Sequence, residues 1–352
     1  MVGPAWLSRT RLRVGLGVLA AVVMLLVVGR LAPPGSAPPL QPAGGVPAAP
    51  QRLGNGVDFN EAISGLVADR AAIWVGHDTT VERLDPRTLR VTATVSLPAS
   101  ATLVTSGRVT PIRGLAAGSS GDVVWVSVAN PAAGLVRIDA ASARVVATIP
   151  VASVGPAAVS DEGSAAGVWV VCCGGETFLG PSRLVRVDPA TNRVVAQVLL
   201  DGLPDAVGVG PSGVWVRGAA GPVWHIDPAS NKVVAKVTVP HGLSGTRGSV
   251  LVGHDAVWVS DPASRTVVRI DPRSNRVVGR SEAGGSPLAV TADGTVVAVS
   301  GGRVLGLRHG TVHGAQVRGL NGDYATALAV VVDTIWVAET DTLFRLDRHE
   351  LR

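Results

Sequence analysis

The residue types suited to chemistry are few in this 352-residue chain, and most follow a short apolar run that carries a tryptophan. They are His77 and Asp78, Asn130, Cys172 with Cys173 and Glu176, Arg217, Asp261, and Glu339 with Asp341. A histidine beside several carboxylates can serve as a general base or hold a divalent metal. His77 and Asp78 would meet Glu339 and Asp341 if the fold brings the two ends of the chain together. The adjacent Cys172 and Cys173 have two readings, a vicinal disulfide with a distorted peptide or two free thiols, and two thiols alone are a weak metal motif. All ten residues also have a plain reading, because loop tips are polar whether or not anything binds there. Gly253-His254-Asp255 repeats the wording of Gly76-His77-Asp78 but precedes its tryptophan, which assigns it to another face. No Gly-x-Ser-x-Gly, His-Glu-x-x-His, Cys-x-x-Cys or phosphate-binding glycine loop is present, and each of those would have named a reaction. No catalytic residue, metal ligand or cofactor is therefore assigned.

The elements that must position these residues repeat. A tryptophan sits in an apolar triplet at Trp74, Trp125, Trp169, Trp215, Trp258 and Trp336, and Val297 takes the same place in a seventh copy. The spacing averages about 44 residues, the period of four-stranded propeller blades. After each triplet comes a second signature, as in Arg186-Val187-Asp188-Pro189 and Arg269-Ile270-Asp271-Pro272, of which the sixth copy keeps only Gly306-Leu307-Arg308. In Asp188-Pro189-Ala190-Thr191-Asn192 the aspartate suits the first turn position, the proline presets φ, and the asparagine tolerates the left-handed region. Each unit reads as strand A, strand B with the tryptophan, strand C ending at the aspartate, and strand D after the turn. The tryptophans are expected to pack between blades. The arginine before each aspartate is expected to be solvated or paired with its own turn.

This pattern predicts an all-β fold, a seven-bladed β-propeller of four-stranded blades at about 60–97, 111–151, 156–200, 204–239, 247–283, 287–318 and 323–352. The chain stops where the last strand D would begin, so residues in Pro50 to Phe59 are expected to supply that outer strand, since an open sheet edge invites unwanted pairing. The linker would then arrive at the face carrying the C–D turns, and that face would look toward the membrane. The opposite face, with the B–C and D–A loops, would carry the ten candidate residues. The insertion between Gly174 and Pro181 and the loop from Pro98 to Pro111 read either as binding loops or as tolerated length.

The Gly-Val-Trp-Val and Arg-Ile-Asp-Pro-Ala-Thr-Asn-Arg-Val-Val wording resembles the YVTN-type propeller repeat, related to the NHL and virginiamycin B lyase-like repeats, over residues 60–352. The resemblance implies architecture rather than one activity, because such blades serve widely differing functions. It also implies two alternatives to plain binding: a virginiamycin B lyase-like enzyme using a divalent metal, and a binder of single-stranded nucleic acid. Neither His77 nor Glu339 aligns with that enzyme family's motif, so no catalytic role is transferred.

The N-terminus is of another kind. Arg9, Arg11, Arg13 and Arg30, without an acidic residue, place +4 of the net +5 in residues 1–32. The uncharged run Val14 to Gly29 would span about 24 Å as a helix. Snorkelling arginines would extend it toward a ~30 Å hydrocarbon core. The arginine bias predicts a cytoplasmic basic terminus (1–13), a transmembrane signal-anchor helix (14–31), a Pro/Ala/Gly-rich linker (32–50), and an extracytoplasmic propeller (51–352). A cleaved signal peptide, and hence a secreted protein, is the competing reading. Ala32 and Ala37 are each followed by proline, so the cleavage signal is poor. The remaining +1 and the scarcity of lysine argue against nucleic acid, whose binding needs clustered cations. The tryptophans in strand B also differ from the docking motif of quinoprotein dehydrogenases. With only two cysteines, stability must come from a β-branched core rather than from disulfides. The expected role is a membrane-anchored module that binds a protein, peptide or envelope ligand.

Overall fold

The computed structural model describes residues 51–351 apart from 54–55, 60, 70, 102–111, 119, 131–132, 152–153, 161–162, 175–179, 220, 240–241, 244–247, 254, 283, 292, 309–310, 322–324 and 332. The expected cytoplasmic segment 1–13, transmembrane helix 14–31 and linker 32–50 lie outside the described residues. Among the described residues no helix is long and apolar enough to cross a membrane.

Seven antiparallel sheets form seven blades. Blade one is Ile63–Ala68, Ile73–His77, Thr80–Leu84 and Val91–Ser96, in strand order A to D. Blade two is Ile112–Ala117, Val123–Val128, Leu135–Asp139 and Arg144–Ile149. Blade three, the longest, runs from Val154–Ser160 and Gly167–Gly174 to Gly180–Asp188 and Arg193–Leu200. Blades four, five and six begin at Pro204–Gly210, Val250–Val252 and Leu288–Val290 and end at Lys232–Val237, Arg276–Ser281 and Thr311–Gln316. Blade seven contributes only Ala325–Val331, Thr334–Glu339 and Thr342–Asp347. The A strands touch one another in chain order, and the last, Ala325–Val331, lies against the first, Ile63–Ala68, so the ring is closed.

Strand composition follows position in the blade. Strand B is flanked on both faces by neighbouring blades and reads as a continuous apolar run, buried from Ile73 to His77 in blade one. Strand D forms the rim and alternates exposed with half-buried residues, as in Arg144–Ile149. Each indole crosses to the next blade. Trp74 packs among Val124, Val126 and Ile138, and Trp215 among Val257, Val259 and Ile270. Trp336 of blade seven packs among Ile63, Ile73 and Val75 of blade one, and Val297 does the same work toward Ile335 and Val337.

Three of the five strand-C arginines that precede a turn aspartate depart from expectation. Arg83, Arg137 and Arg186 are half-buried and pair beyond their own turn, while Arg269 and Arg345 are exposed. Each lies over the tryptophan opposite it on strand B, with guanidinium-to-ring distances of 5.9 Å for Arg83, 5.5 Å for Arg137 and 4.9 Å for Arg186. Arg83, Arg137 and Arg186 then reach the C–D turn of the following blade. Arg83 Nη1 donates to Ala140 O at 2.9 Å, Arg137 Nη1 to Pro189 O at 2.8 Å, and Arg186 Nη1 to Pro228 O at 2.7 Å. In blade four His225 replaces the arginine, stacks on Trp215 at 4.0 Å, and contacts Asn275 Oδ1 at 2.7 Å. These side chains strap blade to blade in one direction around the disc.

The outer strand of blade seven comes from upstream of blade one. Gly56–Asp58 pairs antiparallel with Thr342–Asp347, in the register Gly56 with Phe344 and Asp58 with Thr342. Gln51–Leu53 pairs in turn with Gly56–Asp58, Gln51 opposite Asp58, giving this blade a fifth strand. That added strand corrects the expected path of the linker. Because the two short strands run in opposite directions, Gln51 lies level with Thr342, at the B–C end rather than the C–D end.

Candidate functional site

Nine of the ten candidate residues lie at the B–C end, but most are not on open loops. His77, Cys172, Arg217, Asp261 and Glu339 belong to the last turns of strand B and have at most 6% of their surface exposed. Strand B stays between its neighbours to its very end, so side chains expected to ring the face are held inside it. Asp78 and Asp341 occupy tight B–C turns, Asp78 at φ 46°. Asn130 sits in the longer turn of blade two, where its carbonyl accepts from Ala133 N and Gly134 N at 3.0 and 2.7 Å. Cys172 is buried, and its Sγ donates to Val170 O at 3.8 Å. Cys173 follows it in the strand, and Glu176 lies outside the described residues.

The fold brings Arg217 and Asp261 together. Arg217 has no exposed side-chain surface; its Nη2 meets Asp261 Oδ1 at 3.4 Å, and its Nη1 is paired with Asp205 Oδ2. Asp261 also accepts from Ser264 Oγ at 2.8 Å, and the Gly248 N–H points to Asp205 Oδ2 at 3.4 Å. The guanidinium runs so close to Gly248 that any side chain there would collide with it. This is an ion triad bridging blades four and five.

The second cluster lies at the ring seam. His77 Nδ1 is 2.9 Å from Glu61 Oε2, and its Nε2 is 3.8 Å from Glu82 Oε2. The Phe59 ring lies 5.6 Å from the imidazole. Burial alone would lower the affinity of His77 for a proton, but the Glu82 and Glu61 carboxylates outweigh it and hold its pKa above the ordinary histidine value. Asp78 is also pushed up, first by burial and then by the Glu61 charge, against the opposing pull of His77. Across the seam, Glu339 Oε2 accepts Asn321 N at 2.8 Å, and Asp341 Oδ1 accepts the Thr342 hydroxyl at 3.1 Å. The partners of His77 are thus Glu61 and Glu82, not the pair expected from blade seven. Among the described residues no group of three or more His, Cys, Asp and Glu side chains is arranged to hold a metal ion.

Glu61, Glu82 and Asp205 escape the sequence pattern. Glu61 lies in the joining segment and Glu82 in the middle of strand C, where alternation assigns it outward. Asp205 alone carried a signal, a charge inside an A strand. On the opposite face, a groove of about 580 Å³ lies between blades three and four, lined by Ser164, Pro211, Ser212, His225 and Asp227.

The fold defines a closed seven-bladed β-propeller built from sequence repeats. No protein-family model matches the chain, and no curated protein matches it.

Proposed function

We propose that this chain is a membrane-anchored, extracytoplasmic binding module of the YVTN-type, NHL-like propeller kind. It would present its B–C face to a protein, peptide or envelope ligand. One observation carries the reading. Among the described residues, near-equivalent blades hold B–C turns that differ in sequence and length around one rim, two residues at Asp78-Thr79 in blade one and Thr340-Asp341 in blade seven against four at Pro262–Arg265 in blade five. A rigid scaffold with variable loops at one end is the arrangement that recognition surfaces use. Three of the recurrent arginines are meanwhile committed to the next blade, and the turn aspartates to their own turns. The anchor rests on the sequence of residues 1–31.

Photo-crosslinking in cells tests this. A photoreactive residue at Thr79 or Ala263, on B–C turns, should trap a discrete partner, whereas one at Ala190 or Arg273, on C–D turns, should not. Equal labelling from both faces, or none from Thr79 and Ala263, would count against the reading. Labelling confined to a probe at Ser164 would move the ligand to the groove.

A further inference from the structure

We propose that His77 is a proton-operated clasp on the ring seam: as an imidazolium it ties down the segment Phe59–Ile63, and as a neutral ring it lets that segment loosen. The segment matters because it joins the closing strand of blade seven to the first strand of blade one. Phe59 and Ile63 are buried in the apolar core of the seam, and, outside the sheet pairing, the main chain of the segment's described residues is tied at three points. Phe59 N donates to Asp341 O at 2.8 Å, Ile63 N donates to Thr340 O at 2.5 Å, and the Thr326 hydroxyl donates to Ile63 O at 3.1 Å. The side-chain polar hold on it is the buried imidazole, which touches Phe59 by its ring and Glu61 by Nδ1.

The geometry suits only the charged ring. Each nitrogen faces a carboxylate oxygen, Glu61 at 2.9 Å and Glu82 at 3.8 Å. A neutral imidazole has one N–H and one lone pair. If it keeps the proton on Nδ1 for Glu61, its Nε2 lone pair confronts a carboxylate. Glu82 is largely enclosed too, with 12% of its side chain exposed, and among the described residues neither its Oε2 nor His77 Nε2 has a hydrogen-bond partner. A buried carboxylate without a donor is costly, and an imidazolium across the gap offsets that cost. The titratable groups around the ring are Glu61 from the joining segment, Glu82 from strand C and Asp78 from the B–C turn. From blade seven, the main chain of Thr340 and Asp341 meets the segment.

The sign follows from the upward displacement of His77. A group that binds its proton more tightly when folded stabilises the fold fully below its unfolded pKa. That contribution is lost as the pH rises through the folded value. Asp78, displaced upward as well, acts in the same direction. While Glu61 and Glu82 are ionised, the seam is therefore tighter below the ordinary histidine range than above the raised value of His77.

Hydrogen exchange by mass spectrometry on the full chain, corrected for the intrinsic pH dependence of exchange, tests the clasp. Protection over Phe59–Leu66 should fall several-fold as the pH rises through the titration of His77, while Gly213–Gly218 of blade four stays level. In His77→Gln the seam should exchange at its alkaline rate at every pH. In Glu82→Gln the step should move to lower pH. A seam protected equally at all pH values, a step shared with blade four, or a step surviving in His77→Gln overturns the proposal. Should His77→Gln fail to fold, an unmoved step in Glu82→Gln overturns it equally. None of these readouts involves a ligand, so they stand or fall apart from the binding role.

Discussion

Taking a guanidinium out of water costs several kcal/mol, and Arg217 offsets that cost with two carboxylates and a gap left by Gly248. The arrangement is sensitive to the loss of one member. Arg217→Met should destabilise the fold by about 3–5 kcal/mol, because Asp205 and Asp261 would be left buried and uncompensated. Urea denaturation measures it, and replacing all three residues by apolar ones should recover most of the loss. At this scale the sequence was half legible. Arg217 and Asp261 stand out because they break a repeat, and they do meet. Their burial was not legible, since nothing in the local wording says that strand B remains enclosed up to its last residue. His77 stood out for the same reason, yet its partners Glu61 and Glu82 fit their surroundings too well to be noticed.

The turns and straps belong to the next scale. The residue four after each turn aspartate adopts a left-handed backbone: Asn192, Asn231 and Asn275, but also Leu89 and Ala143, at φ between 50° and 58°. Asparagine tolerates that conformation better than alanine. Asn192 Oδ1 also receives Arg137 Nη1 at 3.0 Å, the strap from the preceding blade. Ala143→Asn should therefore stabilise the protein by about 1 kcal/mol, by relieving the backbone and giving Arg83 a second acceptor. Calorimetry on this variant should show a higher midpoint, and Asn192→Ala should show a lower one. The turn aspartates are held below the usual carboxylate range by their donors, in Asp188 first by the Thr191 hydroxyl and in Asp85 first by Thr88 N–H. Their contribution is present above that range and lost as the pH falls through it. The turn itself was readable from Asp, Pro and Asn. The strap was not, because the acceptor for Arg137 lies 52 residues further on, in another blade.

At the scale of the molecule, the count of blades followed from one residue type recurring at one strand position. Blade six, where Val297 stands for tryptophan, needed the spacing as well. Closure could be anticipated because blade seven lacks an outer strand, but the path of the chain could not. The short Gln51–Leu53 strand carries no pattern of its own and yet reverses the direction of approach. Removing residues 51–58 should leave Thr342–Asp347 as a bare edge carrying Leu343 and Leu346. Such edges recruit other chains, so in detergent this deletion variant should sediment as larger species than the intact chain does under the same conditions, as analytical ultracentrifugation would show.

The doubled strand at the rim also decides how the disc responds to tension. A pull from upstream of Gln51 meets the pairs in sequence: Gln51 with Asp58, then Arg52 with Val57, then Leu53 with Gly56. Only after these does it reach the rungs that hold Gly56 to Phe344. Each rung contributes little by itself, so the fastening unzips at modest force instead of shearing all at once. The first strain on this molecule is thus taken by a few residues at the edge of blade seven, ahead of the three strands behind them and the other six sheets.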